Sequence, residues 1–326
     1  TNRYLLAYSG GMDSTVLLHL LAACRESITA EVEALHVDHG LHSDSGAWRR
    51  HCSETCRRLR IPLQTTVLAL QPLSGESREA QAREARYAAM RELMRRGDVL
   101  LSAHHRDDQA ETLLLNLMRG SGVRGLAAMP PLRRLGEGWL ARPLLATPRA
   151  ALAAFAAEHG LQWIDDPSNA LSDYNRNYLR HEILPRLALR WPAAAASIAD
   201  SASHLADAAE LLQQESDELL LQMVAAPGRL RLQPLLRQPR IWRELLLRRW
   251  LSVLELPPPP RRRLAEFVAQ LSTDEQRIPQ ISWSGVELRR YHGMLYVEKS
   301  TPEIDAALEI TWRTDQPLSL PSQLGQ

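Results

Sequence analysis

Tyr4-Leu5-Leu6-Ala7-Tyr8-Ser9-Gly10-Gly11-Met12-Asp13-Ser14-Thr15-Val16-Leu17-Leu18 is the stretch that decides the fold class. An apolar run of strand length ends in a Ser/Gly turn, and a leucine-rich helical pattern opens at once behind it. Glycines let backbone N–H groups approach an anion closely, and a helix N-terminus adds a favourable dipole. Ser9 and Ser14 supply hydroxyls, and Asp13 supplies a carboxylate for a metal or for the helix start. Ser9, Gly10, Gly11, Met12, Asp13 and Ser14 therefore read as a phosphate cradle. The same residues also make an ordinary turn and N-cap; the strand-loop-helix context favours the cradle. A Walker loop is excluded, because it needs a lysine at its end and the only lysine in the chain is Lys299.

Outward from this loop, the spacing predicts strands over 4–8, 32–37, 63–67, 99–103 and 139–144. Helical patterns lie between them at about 14–25, 45–59, 76–96 and 108–119. Such alternation implies an α/β fold, a doubly wound parallel sheet of the Rossmann-like kind, in which ligands bind beyond the carboxyl ends of the strands. Beyond Thr147 the pattern turns helical, at 148–159, 175–189 and 193–225. Helices over 240–254 and 261–271 then flank a Pro257–Pro260 run, and an antiparallel meander is expected at 278–283, 286–291 and 294–298. The expected domains are a nucleotide-binding domain over 1–190, a long helical linker over 191–228 and a small basic α+β domain over 229–326 that is expected to bind RNA.

Composition excludes several classes. With 326 residues, 45% hydrophobic and 24% charged, the chain has material for two globular domains. No apolar stretch approaches the roughly 20 residues of a membrane span, so no membrane partner is expected. Three cysteines are too few for a disulfide scaffold and fit a reducing cytoplasm. The net charge of +1 is unevenly spread: residues 229–300 hold 13 arginines and Lys299 against 7 acids. That segment is a candidate nucleic-acid footprint, or a solvated face in an arginine-biased chain.

Chemistry-bearing residues cluster after the strands. Asp38 closes the second strand beside Gly40. After the fourth strand come His104-His105-Arg106-Asp107-Asp108-Gln109-Ala110-Glu111-Thr112, where His104, Asp108, Glu111 and Thr112 share one helix side. Asp108 and Glu111 form a carboxylate pair suited to Mg²⁺ or an ammonium group, or an acidic helix start stabilised by the dipole. Arg83 and Arg86 lie on adjacent turns of a helix. Trp163–Asn169 and Tyr174–Arg180 mix aromatics with Arg and Asn, types that stack on and bond to unpaired bases. Cys52 and Cys56 lack a second pair for zinc and read as spectators on an amphipathic helix.

The SGGMDS stretch resembles the PP-loop of ATP pyrophosphatases. Taken with VDHGLH, EAQAREARY, AHHRDDQAET, RGSG and WIDDPSN…YNRNYLR in this order, the chain resembles the tRNA(Ile)-lysidine synthetase family, strongly over 1 to about 190. The resemblance implies ligation of L-lysine to the wobble cytidine of tRNA(Ile) with a CAU anticodon, using ATP and Mg²⁺ and passing through an adenylated base. It implies a pyrophosphate cradle at Ser9–Ser14, Mg²⁺ near Asp13 or Asp38, and lysine held by Asp108 or Glu111 with Arg83, less readily Arg86, on its carboxylate. His104 joins Asp38, Asp108, Glu111 and Arg83 in the expected catalytic set. A homodimer is an assembly the sequence permits. Longer family members carry a further C-terminal domain, and this chain, which lacks an initiator methionine, is expected to be a truncated form. The alternatives are a 2-thiocytidine synthetase, for which Cys-x-x-Cys motifs are missing, and a non-catalytic ATP-binding protein that binds RNA.

Overall fold

Alternate residues of the first strand feed two different cores, which makes the fold doubly wound. In the computed structural model, which describes residues 2–38, 45–68, 78–167, 175–272 and 278–299 (backbone alone for 78–83), β1 spans Arg3–Ala7. Leu6 packs with Val16, Leu17, Cys52 and Leu152 on one side of the sheet, while Leu5 packs with Met90, Met94 and Leu140 on the other. The elements that follow are α1 Met12–Ala23, β2 Glu31–Asp38, α2 Ser45–Leu59, β3 Leu63–Val67, α3 Arg78–Leu93, β4 Val99–Leu101, α4 Arg106–Met118, α5 Val123–Leu126, β5 Leu132–Leu135, β6 Gly138–Ala141 and α6 Arg149–Glu158. The sheet order is β3-β2-β1-β4-β6-β5. Its strands pair in parallel except β5, which runs antiparallel to β6. The order reverses between β1 and β4, so a crevice opens beyond their carboxyl ends.

Strand β5 is absent from the sequence reading. Leu132-Arg133-Arg134-Leu135 has no apolar run, and Leu132 is half exposed at the sheet edge. What holds it is a two-residue turn at Gly136-Glu137 and the stacking of Arg134 over Trp139 at 4.4 Å.

At the opposite, amino-terminal end of the sheet, the Arg3 guanidinium donates to Asp98 at 2.7 Å and to Glu33 at 2.8 Å. Burial pushes the Asp98 pKa up, but the Arg3 hydrogen bond and the Arg95 N–H outweigh it and hold the carboxyl below its usual range. A depressed folded-state value means stability that is present above the unfolded pKa, about 3.9, and lost as pH falls through the folded one. Asp98→Asn should cost about 2 kcal/mol at pH 7, and its gap from wild type in urea midpoint should close below about pH 4. A gap that stayed constant down to pH 3 would show the charge to be irrelevant.

Past residue 160 the chain is helical: α7 Asn175–Tyr178, α8 Leu184–Arg190 and α9 Ala194–Met223. The single helix expected over 175–189 is interrupted by a π turn at Leu179–Ile183. Pro185 lacks an N–H and its ring crowds the His181 carbonyl, so the backbone widens just before it. The chain divides into two compact units, Thr1–Ala209 and Glu210–Gln326.

In the second unit, β7 Val224–Ala226, β8 Arg229–Arg231, α10 Leu232–Leu236, α11 Arg240–Val253, α12 Arg261–Gln270, β9 Gln280–Trp283, β10 Val286–Tyr291 and β11 Met294–Lys299 follow. The expected three-stranded meander is the greater part of a five-stranded antiparallel sheet, β7-β8-β11-β10-β9. Pro227-Gly228, which in the sequence marks a break after the long helix, is the turn of a short extra hairpin. One face of this sheet packs Leu230, Leu288 and Leu295 with Trp250, Phe267 and Leu246 into a separate core. Among the described residues, no helix is long and apolar enough to cross a membrane.

Candidate active site

The loop leaving β1 is held from three sides. Gly10 sits at φ +85°, a left-handed conformation that favours glycine. Its carbonyl accepts from the Ile164 N–H at 2.9 Å, and a Cβ there would lie 2.9 Å from both Cys52 Sγ and Ile164 Cδ1. Gly11 is the N-cap of α1 and makes no side-chain cap bond. Ser14 Oγ donates to the Gly11 carbonyl at 3.0 Å, and Ser9 Oγ accepts from the Gly11 N–H at 3.3 Å. The first-turn N–H groups of α1 thus face the crevice in the manner of an anion cradle. Cys52 and Cys56 are buried behind the loop, where burial pushes each thiol up to about 12.

A cavity of about 590 Å³ lies against this loop, within the usual range for ligand sites. Of the sequence-predicted residues, Ser9, Gly11, Met12, Asp13, Ser14, His104 and Asp108 line it. Ala7, Met90, Leu100 and Ile164 give it an apolar wall, and Arg86 also reaches it. Gly10 shapes the loop from behind.

The second wall is the start of α4. His105 is its N-cap and forms a reciprocal capping pair with Asp108: the Asp108 N–H donates to His105 Nδ1 and the His105 N–H to Asp108 Oδ2. His105 Nε2 stands 3.4 Å from Asp108 Oδ2 and 3.7 Å from Asp13 Oδ2. Burial acts against the charged form of both aspartates, with opposite results. At Asp13 burial prevails over the attraction of His105 and the pKa is raised. At Asp108 burial is outweighed by His105, His104 and Arg176, and the pKa is lowered. Asp13 Oδ1 is buried without a hydrogen-bond partner. His104 is linked through Nδ1 to Ser102 Oγ at 2.9 Å.

Glu111 does not line the cavity. It is buried behind Asp108, where its two oxygens accept from Arg176 Nε at 2.8 Å and from Arg180 Nε at 2.7 Å. Arg180 also donates to Asp108 Oδ1 at 3.0 Å. Asp38 lies outside the lining too, its buried carboxylate 3.1 Å from Arg49 Nε. Residues 39–44, with the rest of the VDHGLH block, fall outside the described residues, as does the side chain of Arg83.

Asp165, Asp166 and Arg180, from the segments expected to contact RNA bases, also line the cavity. Arg149 is absent from the sequence reading. It opens α6 just as Arg240 opens α11 and Arg261 opens α12, so its sequence position does not set it apart. Arg149 lines the cavity and acts on Asp13.

Comparison with known proteins shows the family. The PP-loop domain family matches residues 1–187, and a TilS substrate binding domain matches residues 230–296. The tRNA(Ile)-lysidine synthase of Xanthomonas axonopodis pv. citri is 45% identical over 318 residues, covering 97% of this chain and 72% of that protein. The enzyme of the same name from Coxiella burnetii is 41% identical over 329 residues, 99% of this chain and 72% of the other. That of Pseudomonas fluorescens is 54% identical over 211 residues, 64% of this chain and 47% of the other. Among solved structures, the U34-tRNA thiolase NcsA from Methanococcus maripaludis superposes with a TM-score of 0.52 at 19% identity, over 63% of this chain and 73% of that one, a likeness of fold.

Proposed function

This chain belongs to the tRNA(Ile)-lysidine synthase family, and we propose from that premise how its residues carry out the reaction. It is an ATP-using ligase that forms a C–N bond, joining lysine to C2 of the wobble cytidine of tRNA(Ile). The observation that carries the reading is the cavity at the β1/β4 switch point, with the anion cradle and Asp13 on one wall and His104 and Asp108 on the other.

The N–H groups at the start of α1, with Ser9 and Ser14, bind the pyrophosphate of ATP so that cytidine O2 meets the α-phosphate. Adenylation makes O2 a leaving group and C2 an electrophile. Mg²⁺ fits Asp13, whose Oδ1 is buried without a protein partner, and would offset the charge of the departing diphosphate. Asp38 fits that role less well, since it lies outside the cavity lining, paired with Arg49.

Lysine must attack as a neutral amine, although its ordinary pKa is about 10.4. Asp108, held ionised and facing the cavity, binds the ammonium group. His104, in the tautomer whose Nδ1–H donates to Ser102, takes the proton. Glu111 acts behind Asp108 as a positioning residue that fixes Arg176 and Arg180. Arg83, one turn before the cavity-lining Arg86, takes the amino acid's carboxylate. The setting of this reaction is the cytoplasm, where tRNA is charged.

Incubating tRNA(Ile) with this protein, ATP, Mg²⁺ and lysine should raise the RNA mass by lysine minus water, with diphosphate released. RNA binding with no diphosphate released, or diphosphate release with no gain of lysine by the RNA, would defeat the reading.

A further inference from the structure

We propose that the outer face of the five-stranded sheet in the second unit is a stacking platform for unpaired nucleotides of the RNA substrate. The inference rests on the reading of tRNA as that substrate and names the face and the contact chemistry.

Strand alternation divides the unit cleanly. Leu230, Val286, Leu288, Leu295 and Val297 are buried in the core, which leaves Arg229, Arg231, Arg289, Tyr291 and Tyr296 on the other face. The register sets these in two rows. Arg289 lies opposite Tyr296, which lies opposite Arg229; Tyr291 lies opposite Met294, which lies opposite Arg231. The Tyr291 and Tyr296 rings are 6.4 Å apart, His292 stands edge-on to Tyr291 at 4.1 Å, and the Arg229 guanidinium lies 5.7 Å from the Tyr296 ring.

The solvated face of an antiparallel sheet is ordinarily polar, and a single tyrosine there is commonplace; two neighbouring rings flanked by guanidiniums are a composite surface. Here Tyr291 is 49% exposed, in a row with Met294 and Arg231 and next to the row of Arg289, Tyr296 and Arg229. Rings that offer a face, with guanidiniums beside them for phosphate, are the equipment for splayed-out bases. Duplex RNA would use the arginines but leave the rings idle, since its bases are closed into the helix. The face is also polarised. Glu287 and Glu298 pair across the next row, and Glu298 stands 3.5 Å from Arg289. The net positive end is therefore the one that carries the rings, Arg229 and Arg231.

The full chain and its Tyr291→Ala, Tyr296→Ala, Tyr296→Phe and Arg229→Gln/Arg231→Gln variants should be titrated with unmodified tRNA(Ile), a single-stranded oligonucleotide and an RNA duplex over a range of salt. Each Tyr→Ala change should weaken tRNA and single-strand binding about tenfold or more, without altering the salt slope or duplex binding. Tyr296→Phe should bind as wild type. The double arginine variant should lower the salt slope by about one for every phosphate it no longer neutralises. Wild-type affinity in both Tyr→Ala variants would overturn the platform, as would equal loss for duplex and single strand, or equal loss in Phe and Ala variants. Should Tyr296→Ala fail to fold, the exposed Tyr291 decides alone. A wild-type protein that forms no lysidine yet shows these binding changes would sink the enzymatic reading and leave the platform standing.

Discussion

Gly10→Ala should reduce ATP-dependent diphosphate release at least a hundredfold while leaving a folded protein. The left-handed backbone costs a side chain about 1–2 kcal/mol. The new Cβ would also meet Cys52 Sγ and Ile164 Cδ1, each at 2.9 Å. The Ile164 methyl can swing aside, but Cys52 is fully buried and does not yield readily. Overpacking of this kind adds about 1–3 kcal/mol, and the compliant part is the cradle itself. A displacement of about 1 Å in a positioning element can cost about a hundredfold in rate. Gly11→Ala is the control: its φ is −73° and its nearest new contact is Ser9 Oγ at 3.4 Å, so folding should be nearly unaffected. Adding Cys52→Ala to Gly10→Ala should recover part of the lost stability, since the two positions touch. Diphosphate release at the wild-type rate in Gly10→Ala would remove the loop from the chemistry.

What is readable in the sequence follows the physics of burial. The central parallel strands are covered on both faces, so they read as continuous apolar runs, and the amphipathic α2 reads from end to end as Ser45–Leu59. The arginine-rich edge strand β5 and the short hairpin β7–β8 have no such run. Their pairing comes from turns and from neighbours supplied by distant sequence. The cradle and the start of α4 are legible because each is a local pattern. The pairing of Glu111 with Arg176 and Arg180 is not, because it spans 65 and 69 residues and no periodicity reports it.

That pairing leads to the second large effect. Glu111→Gln should lower the unfolding midpoint of the first unit by on the order of 10 °C. Replacing the carboxylate strands two guanidiniums that it now holds from both oxygens, and removing one partner of a buried ion pair costs about 3–5 kcal/mol. Attraction to Glu111, Asp108 and Asp13 outweighs the burial of Arg180 and keeps its pKa raised. Without Glu111, Arg180 should close further on Asp108, neutralising the carboxylate assigned to lysine. The Michaelis constants for lysine and ATP should then both rise, because Arg180 and Asp108 line one cavity with the cradle. Combining Glu111→Gln with Arg176→Gln removes a charge from each side and should restore part of the midpoint, since replacing a buried pair is milder than breaking it. The competing assignment makes Glu111 the direct ligand of the lysine ammonium. It requires a different pattern: a higher Michaelis constant for lysine alone, with the midpoint and the constant for ATP unmoved. The two roles are therefore separated by one variant and three measurements, and the two-arginine clasp on Glu111 favours the positioning role.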